Sequence, residues 1–439
     1  MTPRRVVITG AGWITPLGRD LDGVWARMLA GETGIGPVTR YDASTFATNF
    51  AAECEEPDLA TFLGDRAAAH ATAGLSTRFA LAAAHDAWSM SGLSGHDPDR
   101  VGVYLGAGEG SMDFPGLNTA LEAWDPELRR VDPVRWARLA RERLRADWEI
   151  EQEPHLTITH LARAFGARGP ALNCMTACAA GAQCVGEAAE IIRRGDADAM
   201  LAGGAHSMIH PLGMTGFVRL TAMSTRRDEP QTASRPFDAT RDGFVMGEGA
   251  GMLVLESLES AQARGATILA EIAGYGSTAD AYRITDIQPE GLGGAAAMRR
   301  ALEQAGIDPS KTDDSGRPLV HYINAHGTGT QENDKIETAA VKHVFGELAP
   351  RVPFSSIKSM TGHLIQAAGT VELIVCLQAI KTGRIPPTRN LNNPDPLCDL
   401  DHVPGEARDE TARGIDVCLS NSFGFGGQND TVCVRRFSA

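Results

Sequence analysis

Leu172-Asn-Cys-Met-Thr-Ala-Cys178-Ala-Ala-Gly181-Ala182 passes from a polar turn into small residues and then into a helical pattern over Ala182–Arg194, and the short apolar strand Ala199–Ala202 follows at once. The same alternation recurs outward on both sides. Towards the N-terminus, Val6–Thr9 reads as a buried strand ending at a glycine turn, Arg78–Met90 as a helix and Val101–Leu105 as a strand. Towards the C-terminus come a helix in Ser257–Arg264, a strand in Ile268–Ala273, a helix in Gly293–Ala305, a strand in Leu319–Asn324, a helix in Thr370–Thr382 and a strand in Val417–Ser420. Apolar strands alternating with alanine-rich helices predict an α/β fold whose sheets are covered on both faces. The charged turn at Ala261–Gly265 is a candidate seam, dividing the chain into 1–260 and 261–439. No sequence repeat is visible across it.

Composition narrows the function. The chain has 439 residues, 41 basic against 55 acidic side chains and a net charge of −14. A nucleic-acid binder carries a basic balance or stripe, so nucleic acid is not expected as a partner. No apolar run approaches a membrane span, and the apolar stretch after Arg4-Arg5 is too short for a signal peptide, so a cytoplasmic protein with no membrane partner is expected. The eight cysteines, Cys54, Cys174, Cys178, Cys184, Cys376, Cys398, Cys418 and Cys433, form no CxxC pair. A zinc cage is therefore not expected, and most of the thiols read as buried ones. Gly10-Ala-Gly12 after a strand suggests a dinucleotide fingerprint, but Thr15 stands at the third glycine position. Close packing is the better account of these glycines, as of Gly106-Ala-Gly108 and Gly247-Glu-Gly249.

Four segments carry residue types that packing alone does not demand. Cys178 precedes a helix, where unpaired N–H groups and the dipole stabilise thiolate; a buried structural cysteine is the competing reading. His326 follows the strand Leu319–Asn324 in Asn324-Ala-His-Gly-Thr328-Gly-Thr330-Gln-Glu-Asn-Asp334-Lys-Ile-Glu337. Lys358 and His363 stand in Ser356-Ile-Lys-Ser-Met-Thr-Gly-His363. Gly424-Phe425-Gly426-Gly427 offers backbone N–H groups to an oxyanion. One cysteine with two histidines fits acyl transfer to a thiolate, with imidazoles handling protons and developing negative charge.

Together these segments resemble the β-ketoacyl-acyl-carrier-protein synthases of the thiolase superfamily, both the synthase II type and the type II polyketide ketosynthases. The resemblance runs from Arg5-Val-Val-Ile-Thr-Gly-Ala-Gly-Trp-Ile-Thr-Pro-Leu-Gly18 through Arg235-Pro-Phe-Asp238 and Gly243-Phe-Val-Met-Gly-Glu-Gly249 nearly to the C-terminus. It implies a thiolase-like, duplicated α-β-α-β-α layered fold, as a homodimer or a heterodimer with a homologous subunit. It implies decarboxylative Claisen condensation of an acyl thioester with a malonyl group on acyl carrier protein, in fatty acid or polyketide elongation, with no metal or other cofactor. By motif, Cys178 accepts the acyl chain, His326 and His363 stabilise the enolate, and Lys358 supports them in a pair with Glu337. The N–H groups of Cys178 and Phe425 form the oxyanion hole, Phe425 gates the acyl pocket, and Thr328 and Thr330 hold the phosphopantetheine arm. Some relatives hold a monovalent cation near the positions of Asn324, Glu372, Ser420 and Asn421. A chain-length scaffold of the same fold typically lacks the cysteine, and degradative thiolases use a second cysteine as base.

The chain also departs from the pattern. Gln331 stands where proline is usual, and Glu109 stands where the acyl pocket commonly has an apolar residue, which points to a specialised substrate. Ser111–Glu153 is longer than usual and holds Arg129, Arg130, Arg135, Arg138, Arg141, Arg143 and Arg145, most of them three or four apart. On a helix these form a basic face. It is either a solvated surface or a docking face for the acidic carrier protein. Asp65–Leu75, where relatives often place a basic helix, has only Arg66 and His70, which favours docking at the arginine-rich face.

Overall fold

The computed structural model describes residues 4–108, 112, 114–284 and 286–438. Ten strands form one hydrogen-bonded order: β1 (Val6–Ile14), β2 (Val101–Gly106), β3 (Ala171–Cys174), β4 (Ala199–His206), β5 (Gly249–Ser257), β6 (Ala270–Ala279), β7 (Tyr322–Asn324), β8 (Phe354–Ser355), β9 (Val417–Gly424) and β10 (Gln428–Arg435). Their spatial order is β8-β7-β9-β10-β6-β1-β5-β4-β2-β3. The order is a duplication. The first five strands run β1-β5-β4-β2-β3, and the second five repeat this as β6-β10-β9-β7-β8. In each half the first two pairings are antiparallel and the last two parallel. Within the sheet the halves join where β1 pairs with β6, at Val7↔Glu271 and Ile8↔Ala270.

Six helices repeat with the same regularity: α1 (Leu75–Ser91), α2 (Leu156–Phe165) and α3 (Ala180–Arg194), then α4 (Leu292–Ala305), α5 (Asn333–Phe345) and α6 (Ala368–Thr382). Helices α1 and α4 lie on equivalent strands, with α2 against α1 and α5 against α4. Helices α3 and α6 touch each other and strands of both halves, forming the central layer. The sequence dictates this place for α6, which is apolar on every side and buried from Ala368 to Ile380. β1, β4 and β5 are likewise buried at every residue, as strands covered on both faces must be.

The duplication accounts for the misleading glycine pair near the N-terminus. A β-bulge falls between Ile8 and Gly10 in β1, and its counterpart falls between Ile272 and Gly274 in β6. A Cβ on Gly10 would stand 2.0 Å from the Ala87 carbonyl oxygen of α1, and one on Gly274 2.0 Å from that of Ala301 in α4. These glycines exist so that a helix can lie on a strand. Among the described residues no helix is long and apolar enough to cross a membrane.

Candidate active site

The chain leaves β3 at Cys174, turns through Thr176 and Ala177, and enters α3 at Ala180 by a single tight turn, Ala177–Ala179. Ala177 has φ 48°. A left-handed alanine costs roughly 1–3 kcal/mol and persists only where its surroundings enforce it. The bend sets Cys178, 4% exposed, at the start of α3, facing the positive end of the helix.

The histidines arrive from the other half. His326 lies just past β7, and its turn is pinned from α5: the N–H groups of His326 and Gly327 donate to Glu337 Oε1 and Oε2, each at 2.8 Å. Asn421 Nδ2 adds a third bond to Glu337 at 3.2 Å. Burial still pushes the Glu337 carboxyl up to about 7 against these donors. His363 follows the short helix Lys358–Thr361, and its N–H donates to the Val245 carbonyl at 2.7 Å. Phe244 meets its ring edge to face at 5.3 Å. The two imidazoles lie 5.4 Å apart at 84°.

Cys178 Sγ and one ring nitrogen from each histidine all lie within 4.8 Å of one another. Burial first, and the Lys358 ammonium second, hold both histidines well below the ordinary imidazole range, so they are neutral at pH 7. Each neutral ring offers one N–H and one lone pair. Nδ1 of His326 and both ring nitrogens of His363 are buried without a hydrogen-bond partner. Unpaired buried polar atoms are costly, and here they face a shared space a ligand can fill. A thiol with two imidazoles also suits zinc in donor type. Metal-bound imidazoles, however, usually donate their second nitrogen to a carboxylate or carbonyl, and His363 has no such partner. The donor set fits a reacting acyl group better than a metal ion.

Lys358 requires a correction. It is buried, but its ammonium pairs with Glu372 of α6, not with Glu337. Both Glu337 oxygens are already taken by the N–H groups at the end of β7, whereas Glu372 is the one acid in the buried stretch of α6. Burial pushes Glu372 up to about 7 despite the lysine. Glu372 Oε2, Asn324 Oδ1 and Ser420 Oγ are buried without partners, acceptors of the kind a monovalent cation takes. Asn421 is committed to Glu337 and Thr431.

Thr328 and Thr330 share a hydrogen bond of 3.0 Å at the entrance to this chamber. Outside lies a cavity of about 790 Å³. Thr330, Asn333, Ile287 and Phe425 line both spaces and form the constriction between them. Gln331 has a structural account: its amide donates to the Arg241 carbonyl, while the Arg241 guanidinium holds the carbonyls of Thr330 at 2.9 Å and Gln331 at 2.8 Å. Glu109 lies outside the described residues. Sequence reading missed Ile287, Asn333 and Phe244 as lining residues, and it named Glu372 only beside a cation position and not as the partner of Lys358. Of these only Glu372 carries a sequence signal, as a lone charge in an apolar helix.

The arginine-rich segment is not one continuous face. Arg129 and Arg130 lie on a small hairpin, Trp124–Asp125 with Arg130–Val131, and the helix is Pro133–Arg143, capped by Asp132. Capping and the proline start the helix there, so the earlier arginines fall outside it. Arg143 pairs with Glu122 and Arg145 with Asp147, each at 2.6 Å. Arg135, Arg138 and Arg141 are exposed on the helix and form no ion pair among the described residues. His70 is buried against His160 at 2.8 Å, so the Asp65–Leu75 stretch presents even less positive charge than its sequence suggests.

Comparison with known proteins agrees with this geometry. The signature of the β-ketoacyl synthase N-terminal domain matches residues 3–261, and that of its C-terminal domain residues 269–392. The chain is 42% identical over 439 residues to the 3-oxoacyl-[acyl-carrier-protein] synthase 2 of Coxiella burnetii, covering 99% of each protein. Two solved structures superpose with a TM-score of 0.84 at 33% identity, covering 99% of this chain and 100% of theirs. One is a type II polyketide synthase acyl-carrier protein in complex with its ketosynthase bound to the hexaketide, and the other the ishigamide ketosynthase/chain length factor. A duplicated five-layer fold, a cysteine at a helix mouth facing two neutral imidazoles, and full-length identity at this level all lead to one family: the chain belongs to the β-ketoacyl synthases, thiolase-fold condensing enzymes of the acyltransferase class.

Proposed function

We propose that the chain elongates an acyl thioester by decarboxylative condensation, with Cys178 as nucleophile and His326 and His363 as the enolate-stabilising pair. The convergence of the three groups within 4.8 Å in a buried chamber carries this reading. Cys178 thiolate attacks the acyl thioester and expels the carrier's thiolate, which takes a proton from water, leaving the acyl group on Cys178 sulfur. A malonyl thioester then loses carbon dioxide. Its electron pair becomes an enolate whose oxygen accepts the N–H groups of the two imidazoles. The enolate carbon attacks the acyl carbonyl, the N–H groups of Cys178 and Phe425 receive the resulting oxyanion, and collapse returns the Cys178 thiolate and releases a β-ketoacyl thioester.

Neutral imidazoles suit this task because they donate without bringing a full charge into a dry site, and burial, with the Lys358 ammonium second, keeps them so. The reaction as written needs no resident metal or redox cofactor. Thr328 and Thr330 line the path of a phosphopantetheine arm, Phe425 gates the constriction, and an acidic acyl carrier protein docks on Arg135, Arg138 and Arg141. The working form pairs two subunits, either identical or homologous. Departures from the housekeeping pattern, Gln331 among them, favour a specialised pathway. Incubation with acyl carrier protein bearing a short acyl group is expected to add that acyl mass to Cys178 and to nothing in a Cys178→Ala variant. Addition of malonyl carrier should then release the β-ketoacyl product at a rate that a metal chelator leaves unchanged. Acylation elsewhere in the chain would sink the reading.

A further inference from the structure

The segment between β2 and β3 crosses the surface with almost no core of its own. Nothing in residues 124–150 is buried, and the helices Pro133–Arg143 and Ala146–Ile150 bury no side chain. Glu151, 7% exposed, is the first buried residue after Ala123 and stands where the chain returns to the core before α2. A carboxylate is rarely buried without paired donors, so whatever holds Glu151 decides how the segment is seated.

A threonine and two histidines hold it. The Thr72 hydroxyl donates to Glu151 Oε1 at 2.7 Å. His160 of α2 donates from Nε2 to the same carboxylate, 3.0 Å from Oε1 and 3.3 Å from Oε2. The other nitrogen of that ring, Nδ1, lies 2.8 Å from Nδ1 of His70, which ends the short helix Gly64–His70. Both rings are buried, with centroids 5.1 Å apart and planes at 50°. The charged and titratable groups that face His70 are His160 and Arg163 on α2, Arg66 on its own helix, and Glu151. No member of this network lines the chamber of Cys178.

The 2.8 Å contact counts protons. Between two Nδ1 atoms at that distance, one carries the proton and the other the lone pair. His160 already uses its Nε2 proton on Glu151. The two rings therefore keep the contact as a neutral pair, or with one positive charge that Glu151 balances. A second charge places a proton on both Nδ1 atoms, N–H against N–H, with two buried cations beside one carboxylate.

We propose that His70, His160 and Glu151 form an acid-released clamp, which seats the segment between β2 and β3 on the core while the two rings carry at most one positive charge, and which a further proton opens. Burial first, then His160, Arg163 and Arg66, hold the His70 imidazole below its ordinary range, against the pull of Glu151. A histidine lowered in this way stabilises the closed form above its ordinary pKa, and that stability is lost as pH falls below about 6.5. The helix carrying Arg135, Arg138 and Arg141 belongs to the clamped segment, so the seating of that basic face depends on the clamp.

The test is hydrogen–deuterium exchange of the full-length protein, read by peptide mass spectrometry at about pH 7.5 and about pH 5 and corrected for intrinsic exchange. Protection in residues 64–72 and 124–153 is expected to fall by about tenfold or more at the lower pH, the effect of one linked proton over about one pH unit. Helix α6 should stay protected. His70→Asn should remove the fall, because its amide can turn either N–H or C=O to His160 Nδ1; His70→Gln replaces it if the shorter side chain does not fold. Equal protection at both pH values, a fall shared by α6, or a fall that persists in the amide variant each overturn the clamp. Nuclear magnetic resonance of the ring nitrogens, with histidine labelled, gives a reading that needs no variant. Both rings charged while the segment is still protected would overturn the clamp as well.

Discussion

The turn Ala177–Ala179 before α3 and the turn Ile365–Ala367 before α6 occupy matching places in the two halves. Both bend by a left-handed non-glycine residue, Ala177 at φ 48° and Ile365 at φ 43°. The first presents Cys178, the second Gln366. Gln366 Oε1 bonds His206 Nδ1 at 2.6 Å in the core, whereas Cys178 faces the two histidines of the opposite half. A duplicated fold thus keeps its backbone strain in both copies but puts a reactive group on only one. The second copy supplies the imidazoles, and its own turn has become a brace. The long segment between β2 and β3 breaks the symmetry again, because it adds exposed, locally bonded elements that the second half does not have between β7 and β8.

The sharpest test of this division is a pair of substitutions at the matching turns. Cys178→Ala is expected to lower condensation by roughly 10³-fold or more with the fold retained. Gln366→Ala should instead lower stability by about 1–3 kcal/mol, the cost of removing the Gln366–His206 hydrogen bond in the core, and retain most of the turnover. Comparable loss of turnover in both variants would break the comparison. His326→Ala and His363→Ala should each slow malonyl decarboxylation by about 10²–10³-fold, yet still allow acyl transfer to Cys178, which single-turnover mass spectrometry separates.

A smaller effect is expected at the unmatched segment. Charge reversal of Arg138 and Arg141 together should raise KM for the carrier protein by about five- to tenfold, with kcat less affected and the difference fading at high salt. The pH dependence is weaker still near neutrality. Because burial lowers both histidines below 6.5, the unprotonated, active form persists as pH falls from 7.5 to 6.5, and decarboxylation declines only further down. A rate that falls steadily from pH 7.5 would show that the imidazoles titrate in their ordinary range.

The sequence read well where a side chain's chemistry is unusual for its setting. A cysteine among alanines at a helix start, histidines beside glycines at strand ends, and the apolar runs of β1, β2, β4 and α6 were visible without coordinates. It read poorly where position depends on partners remote in the chain. Strands β5 and β10 and helices α2 and α5 escape the sequence reading, since glycines or mixed polarity dilute their periodicity. The arginine segment was read as one face because spacing alone does not reveal the cap at Asp132.

Residue order alone therefore determined the layered α/β class and the reactive trio, because burial patterns and uncommon side chains are local properties. Only the tertiary structure decided that the chain repeats one five-strand plan, that Lys358 pairs with Glu372, and that the cysteine of one half meets the two histidines of the other. Each of these depends on contacts across hundreds of residues, where many sequences satisfy the same packing and no local pattern records which partner was chosen.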